Sequence, residues 1–141
     1  MITSKNIDDY TIFHDREDKE FHLFDKTKPK PINHIGRVYY DLEYENNDKF
    51  IKLNLLKINE EYKRLGFAKI LIQHVIEYFK ILNYERIFVL AQPYGSNSKL
   101  KLNQNKLILW YQNLGFIESE EEFQNNIDNH ILHYDLKNRG S

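Results

Sequence analysis

The sequence contains no cysteine among its 141 residues. This absence excludes disulfide bonds, metal sites built on thiolates and a cysteine nucleophile, and it fits a reducing compartment. The N-terminus has no apolar core of a signal peptide, and no segment reaches the ~18 apolar residues that a membrane helix needs. We therefore expect a soluble, cytoplasmic protein without a membrane partner.

The chain also lacks an excess of either charge, since 20 Lys and Arg residues face 21 Asp and Glu residues. The overall charge therefore gives no indication of nucleic acid as a partner. A hydrophobic fraction of 41% excludes a disordered chain, and the length is that of one domain with a real core. We expect residues 1–137 to form this domain and residues 138–141 to be a tail, whose Gly-Ser ending is typical of a cloning remnant.

The first half of the chain has the pattern of strands. Short apolar runs flank a charged turn, a loop with two prolines follows, and two longer segments are separated by an Asn-Asn-Asp hairpin turn. The two longer segments are expected to pair antiparallel. The predicted strands are residues 10–14, 20–25, 34–45 and 50–58.

The second half alternates between helix and strand. A helical stripe starts at Phe67 and stops near Asn83, a residue that tolerates a left-handed conformation. A second helix is predicted from the N-cap Asn103 to about Asn113, with Gly115 just past its end. The predicted strands are residues 86–91, 116–119 and 130–136, and residues 92–102 read as a loop. His130 and His133 would lie on opposite faces of the last strand, so we expect no metal site.

The most informative segment is the junction between the fourth strand and the first helix, residues 63–68. The first backbone N–H groups of a helix have no partner within the helix, and the positive end of the helix dipole lies behind them. Lys63 and Arg64 add positive charge, while Gly66 and Ala68 carry small side chains. This junction is therefore suited to bind a phosphate group.

Two motifs resemble the signatures of one family, the GNAT N-acetyltransferases. Residues 58–68 resemble its pyrophosphate-binding loop, Gln/Arg-x-x-Gly-x-Gly/Ala, with Lys63 at the position where Gln or Arg is usual. Residues 110–116 resemble its second signature, a helix that ends in Tyr-x-x-x-Gly-Phe, with Tyr111 as the tyrosine. Both signatures occur in the family's order, and the resemblance spans residues 49–136.

The resemblance implies acetyl-CoA as the cosubstrate and assigns roles to particular residues. Tyr111 would be the general acid for the leaving thiolate, and a backbone N–H near Leu56 would stabilise the oxyanion. The fourth and fifth strands would splay apart to receive the pantetheine arm. The implied cofactor-binding residues are Leu56, Lys57, Ile58, Lys63, Arg64, Leu65, Gly66, Phe67, Ala68 and Asn105.

The resemblance also implies a fold class. It is α/β (α+β), a single GNAT-like domain with a mixed, mostly antiparallel sheet of about six to seven strands flanked by two main helices. The family inserts two helices after the first strand to wall the acceptor site, and this sequence has no room for both. The insertion is therefore expected to be reduced or absent. That leaves either a more open acceptor cleft or one that a second subunit completes, as in a homodimer.

We expect an N-acetyltransferase that transfers the acetyl group to a primary amine of a small molecule or peptide by direct attack in a ternary complex. The absence of cysteine excludes an acetyl-cysteine intermediate. The general base is not evident, because residues 50–58 contain no carboxylate and the nearest ones are Glu43, Glu45, Glu60 and Glu61. Two alternatives stay open: a non-catalytic acyl-CoA-binding or regulatory module, and a partner-binding role without CoA.

Overall fold

The structure, a computed structural model, describes residues 9–90, 100–119 and 131–137. The turn between the first two strands holds only residues 16–19, so no helix is inserted there, as expected. The elements of the described chain are β1 Tyr10–Asp15, β2 Glu20–Asp25, β3 His34–Glu45, β4 Asp48–Ile58, a 3-10 turn Glu60–Tyr62, α1 Phe67–Ile81, β5 Arg86–Leu90, α2 Leu100–Asn113, β6 Ile117–Glu118 and β7 Ile131–Asp135.

The strands form one mixed sheet in the order β1-β2-β3-β4-β5-β7-β6. The β4 and β5 strands pair parallel, and the other described neighbours pair antiparallel. The long β3-β4 hairpin turns at Asn46 and Asn47, whose positive φ angles of 50° and 74° are those that a two-residue hairpin turn requires. The predicted class, a mostly antiparallel sheet with two main helices, is confirmed.

The β4 strand loses its β5 neighbour halfway along its length. The two strands pair only from Phe50 with Arg86 to Leu53 with Val89. At this point Asn54 is an extra residue in the β3-β4 ladder, because the register jumps by one, and its Nδ2 donates to Asp41 Oδ2 over 2.5 Å. The last five residues of β4, 54–58, therefore present an edge that β5 does not cover.

The helix α1 covers one face of the sheet with its apolar stripe. Near its end, the Phe79 ring lies 5.2 Å from the Tyr40 ring and 6.0 Å from the Phe21 ring. Near its start, the Phe67 ring lies 5.1 Å from the Tyr10 ring. Burying each such side chain contributes about 1.5–3 kcal/mol, so this packing fixes the position of the helix on the sheet. The buried residues of α1 are Phe67, Leu71, Ile72, Val75, Ile76 and Phe79.

Both helices end as the sequence indicated, on a residue with left-handed φ. After α1, Asn83 has φ 66°, and the Tyr84 N–H donates to Phe79 O over 3.1 Å. After α2, Gly115 has φ 107°, and the Phe116 N–H donates to Tyr111 O over 3.1 Å. This second pattern is a Schellman motif, which gives the Tyr-x-x-x-Gly-Phe signature a structural reason.

The prediction for the start of α2 is wrong. The helix begins at Leu100 rather than after Asn103, so Asn103 is not its N-cap and lies within its first turn. The residues around this position, Lys-Leu-Lys-Leu, are good helix formers, and this propensity outweighed the capping signal. The rest of the predicted loop, residues 92–99, lies outside the described residues, as do residue 91 at the end of the predicted fifth strand, His130 and the tail at 138–141. The β6 strand spans two residues instead of the predicted four.

Candidate active site

The connection from β4 to α1 is held at both ends by hydrogen bonds to the sheet and its loops. The Asn59 N–H donates to Ile35 O over 2.8 Å, which ties the end of β4 to β3. Tyr62 is buried, and its hydroxyl donates to Ile32 O over 3.0 Å. These contacts fix the 3-10 turn and therefore the position of the phosphate-binding segment that follows it.

The predicted phosphate loop contains two left-handed residues. Arg64 has φ 65° and Gly66 has φ 87°, and such residues orient successive N–H groups toward a common concave side. The first helical bond runs from Ile70 N–H to Gly66 O over 3.3 Å. One predicted donor is already engaged, because the Lys63 N–H donates to Glu60 O over 3.3 Å.

Other N–H groups of the loop remain to bind an anion. The amides of Arg64, Leu65, Ala68 and Lys69 have no main-chain acceptor in the part of the chain that the structure describes. Ala68 and Lys69 lie in the first turn of α1, before Ile70, whose N–H makes the first helical hydrogen bond. The helix dipole is positive at this end. The first turn of α1 contains no acidic residue that would offset this field. The loop therefore offers several donors and a positive potential.

Of these residues, Arg64, Ala68 and Lys69 line a cleft of about 370 Å³ between β4, the loop, α1 and α2. The structure thus brings together most of the residues assigned from the sequence and adds some that the sequence analysis did not assign. The predicted residues that line the cleft are Leu56, Ile58, Lys63, Arg64, Gly66, Phe67 and Ala68. The added residues are Tyr62, Lys69, Leu107 and Trp110.

The main chain of β4 also faces this cleft at its uncovered edge. Backbone groups in an antiparallel ladder point alternately toward and away from the partner strand. The Asn59 N–H points toward β3, where it donates to Ile35 O, and the main-chain N–H and C=O groups of Lys57 point the same way. Those of Leu56 and Ile58 point away from β3. The N–H and C=O groups of Leu56 and Ile58 are therefore directed at the edge that β5 leaves open. An extended ligand can pair with them as a strand would.

Three predicted cofactor-binding residues do not line the cleft. The side chain of Lys57 lies on the other face of β4, where it lines a second cavity with His34, Arg37 and Asn59. Leu65 is half-buried and packs against the hydrophobic core. Because side chains alternate between the two faces of a strand, the sequence could have predicted that Lys57 lies on the face opposite to Leu56 and Ile58.

Asn105 lies on α2 and is exposed outside the cleft lining. Among the α2 side chains that the structure describes, Leu107 and Trp110, three residues apart, reach the cleft. Their spacing on one helix face was the sequence signal for this role.

Tyr111 lies beside the cleft rather than in its lining. Its side chain is 4% exposed, and its ring centre lies 5.0 Å from that of Trp110 and 5.4 Å from that of Phe116. It follows Leu107 by four residues, so the two share one face of α2. Tyr111 is therefore placed one helical turn beyond a residue of the cleft, within the hydrophobic core.

The carboxylates nearest in sequence do not line the cleft. Glu43 pairs in register with Phe50 and Glu45 with Asp48, at the end of the hairpin away from the open edge. Glu60 is exposed, and its Oε2 lies 3.0 Å from Lys63 Nζ. The hydrogen bond from Lys63 lowers the pKa of Glu60, which keeps it ionised.

Two further observations concern the described residues only. No helix among them is long and apolar enough to cross a membrane. No group of three or more His, Cys, Asp or Glu side chains in these ranges is arranged to hold a metal ion.

The fold is similar to those of solved acetyltransferase structures. A chimera of the spermidine N-acetyltransferase SpeG from Vibrio cholerae and hSSAT is 23% identical with a TM-score of 0.61, over 87% of this chain and 68% of that chain. NAA60 from Arabidopsis thaliana, in complex with acetyl-CoA, is 16% identical with a TM-score of 0.60, over 82% and 74%. The NatC complex bound to Gag peptide and CoA is 18% identical with a TM-score of 0.60, over 84% and 71%.

Sequence comparison identifies the family. No curated protein matches this sequence. The sequence profile of the Acetyltransferase (GNAT) family matches residues 3–116, which is most of the 141-residue chain. The match confirms the resemblance, the enzyme class and acetyl-CoA as the cosubstrate. The chain belongs to the GNAT family of acetyltransferases.

Proposed function

We propose that the protein transfers the acetyl group of acetyl-CoA to a primary amine of a small molecule or peptide, by direct attack within a ternary complex. One observation carries this proposal: the phosphate loop and the uncovered edge of β4, with the N–H and C=O groups of Leu56 and Ile58, open into the same cleft. The relatives of the same fold include a spermidine acetyltransferase and a complex bound to a peptide, which supports an amine acceptor of either kind.

The residues of the cleft fit the parts of acetyl-CoA, which supplies an acetyl group activated as a thioester. The donors of Arg64, Ala68 and Lys69, with the positive end of α1, suit the pyrophosphate. The open edge at Leu56 and Ile58 suits the amides of the pantetheine arm, which would pair with it as an added strand. A non-catalytic module would use the same cleft, but it is not favoured by an acetyltransferase family match.

Two groups of the chain are assigned to the chemical step. The Leu56 N–H donates to the carbonyl oxygen as negative charge develops on it. The bond from the neutral amine nitrogen to the acetyl carbon forms, the carbon–sulfur bond breaks, and the Tyr111 hydroxyl donates its proton to the sulfur. The nitrogen loses its surplus proton as the amide forms, and this proton passes through water and restores the Tyr111 hydroxyl. Tyr111 is close to the cleft through its position one turn beyond Leu107, which supports this role.

The amine must lose a proton before it attacks. An amine with a pKa of ~10.4 is mostly protonated at neutral pH, and freeing it costs on the order of 4–5 kcal/mol. None of the described carboxylates lines the cleft. We therefore assign this proton to water that leads out of the cleft, which makes the rate rise with pH below the pKa of the acceptor.

Two measurements test the function. Calorimetric titration should show acetyl-CoA binding, and an absence of binding at millimolar concentration would overturn the whole CoA assignment. Release of free CoA thiol should then be measured with polyamines, amino acids, aminoglycosides and peptide N-termini as acceptors. Binding together with a wholly inactive panel would favour the non-catalytic module instead.

A further inference from the structure

The second cavity of the sheet lies directly behind the acetyl-CoA cleft. We call it the basic pocket and define it by its lining residues His34, Arg37, Lys57 and Asn59; its volume is about 240 Å³. Side chains alternate along β4, so Lys57 lies on the opposite face from its cleft-lining neighbours. The same segment of β4 thus contributes main-chain groups to the cleft and a cationic side chain to the basic pocket.

Two positive side chains of the basic pocket lie opposite each other on neighbouring strands. Arg37 of β3 and Lys57 of β4 are direct partners in register. Like charges in this position repel each other and destabilise the sheet. Lys57 has no carboxylate partner among the described residues, whereas Arg37 forms one ion pair, with 3.6 Å between its Nη1 and Glu20 Oε1. A bound anion between the two cations would offset the repulsion.

A directed chain of hydrogen bonds fixes the wall beside these cations. The Asn59 Nδ2 lies 2.6 Å from His34 O, so this atom is the amide nitrogen and also donates to His34 Nδ1 over 3.2 Å. His34 Nε2–H must then donate to His22 Nδ1 over 3.1 Å, and His22 Nε2–H to Glu20 Oε2 over 3.0 Å. In this arrangement the lone pair of each imidazole is occupied by a hydrogen bond.

This chain defines what the pocket does. Neither imidazole has a free lone pair, which excludes His34 as the base that deprotonates the amine. Burial, together with the nearby His22 and Arg37, lowers the pKa of His34 and keeps the ring neutral. The positive charge of the pocket therefore comes from Arg37 and Lys57, on a rigid and polar wall.

We propose that the basic pocket binds an anionic group of the acceptor, a carboxylate or a phosphate, so that the substrate is an amine with a negative charge and not a polyamine. This inference rests on the proposed function. The planar guanidinium of Arg37 pairs with two oxygens of either group, and Lys57 adds a point charge. The neutral ring of His34 lines the side of the pocket without competing for the anion.

Matched pairs of acceptors test the charge preference. Lysine and cadaverine differ by a carboxylate, and phosphoethanolamine and ethanolamine differ by a phosphate, while spermidine represents polyamines. In at least one pair, we expect the member that contains the carboxylate or phosphate to have a kcat/KM at least about 10-fold higher than the member that lacks it, as one charge-assisted contact allows. The pair that responds identifies the anion. Preference for cadaverine, ethanolamine or spermidine would overturn the proposal.

Two variants locate the effect. Lys57→Gln and Arg37→Gln should each raise the acceptor KM by about 10-fold or more and leave the KM of acetyl-CoA unchanged. Lys57→Gln should also raise Tm, because it removes the repulsion between the two cations. Lys80→Gln, on the exposed end of α1, is the control for a lost positive charge.

The outcomes separate this inference from the proposed function. A rise only in the KM of acetyl-CoA would place a phosphate of CoA in the basic pocket and overturn the inference. Turnover of amines that is insensitive to both variants would also overturn it and leave the acetyltransferase function intact. If no amine is acetylated, the proposed function itself fails.

Discussion

The Lys63 ammonium contacts the Glu60 carboxylate three residues before it, with 3.0 Å between Nζ and Oε2. Lys63 occupies the loop position where the family usually has Gln or Arg, and it lines the cleft. The carboxylate is therefore a competitor of the pyrophosphate for the same cation. Both side chains are exposed, so solvent and salt screen their attraction.

Replacing the competitor should strengthen acetyl-CoA binding. In Glu60→Gln the Lys63 charge is free for phosphate, and we expect the Kd of acetyl-CoA to fall about two- to fivefold at low salt. The gain should shrink at high salt, because this is an exposed pair. Glu61→Gln is the control, since it changes the net charge equally. An equal gain in both variants would contradict the specific role of the Lys63–Glu60 contact.

Arg64 provides a second test because its left-handed backbone conformation costs folding free energy, whereas its side-chain charge favours acetyl-CoA binding. Its φ of 65° costs an L-residue roughly 1–2 kcal/mol, whereas glycine adopts it freely but loses more entropy on folding. In Arg64→Gly we expect the free energy of unfolding to change by less than about 1 kcal/mol. The Kd of acetyl-CoA, measured by calorimetry, should rise several-fold. Unchanged affinity would show that this side chain does not contact phosphate.

The sequence was most informative where one local rule decided the structure. The stripe from Phe67 to Phe79 has the helical period and packs as α1, and Asn83 stops this helix because it tolerates a left-handed φ. The Tyr-x-x-x-Gly-Phe signature was recognisable for a similar reason. Its glycine is required by the helix end, where Gly115 has φ 107°.

Features that depend on distant partners were not predictable from the pattern alone. The uncovered edge of β4 exists because pairing with β5 stops after Leu53 and Val89, and no local signal marks that point. The left-handed φ of Arg64 is imposed by the connection between the 3-10 turn and α1. The His34–His22 chain joins β3 to β2, so its residues are far apart in sequence.

The role of Tyr111 can be separated from its packing. Tyr111→Phe keeps the ring that packs against Trp110 and Phe116 and removes only the hydroxyl. If this hydroxyl protonates the leaving thiolate, kcat should fall by about 10²-fold or more, with the Kd of acetyl-CoA nearly unchanged. Tyr134→Phe, which removes a hydroxyl near Phe116, is the matched control. Unchanged turnover in Tyr111→Phe would reject the general acid.

Stability should fall at acidic pH because several histidines are partly withdrawn from solvent in the folded state. Burial is the main cause that lowers the pKa values of His14, His34 and His74. A group whose pKa is lower in the folded state contributes its full stability above the unfolded pKa of ~6.5, and this stability is lost as pH falls from there through the folded pKa. We therefore expect a lower urea midpoint at pH 5.5 than at pH 7.5.

The environment of His14 makes it the best test of this pH effect. Its Nε2 lies 2.5 Å from the Tyr40 hydroxyl, and its Nδ1 is buried without a hydrogen-bond partner among the described residues. Protonation would bury a charged donor with no acceptor. The side chains of Arg16 and His74 oppose its charge, and that of Asp15 favours it. The double variant His14→Gln, His74→Gln should flatten the loss of stability between pH 7.5 and 5.5, and an unchanged slope would contradict this account.

Gly36 of β3 is in close contact with Lys57 and Ile58 of β4. A Cβ added at Gly36 would lie 2.6 Å from Lys57 O and 2.5 Å from Ile58 Cδ1. The main-chain oxygen can move only if β4 moves with it. We expect Gly36→Ala to lower the free energy of unfolding by about 1–3 kcal/mol, measured by urea denaturation.

The same displacement should reach the cofactor, because the segment that moves also presents the Leu56 and Ile58 main chain to the cleft. Gly36→Ala should therefore weaken acetyl-CoA binding as well as the fold. Ile35→Val is the control: it lies in the same strand, is fully buried, and should cost about 0.5–1.5 kcal/mol without pushing on β4. Its Kd for acetyl-CoA should equal that of the unaltered protein. If Gly36→Ala is destabilised yet binds acetyl-CoA with unchanged affinity, the cofactor does not depend on the position of this edge, and the pairing proposed for the pantetheine arm is wrong.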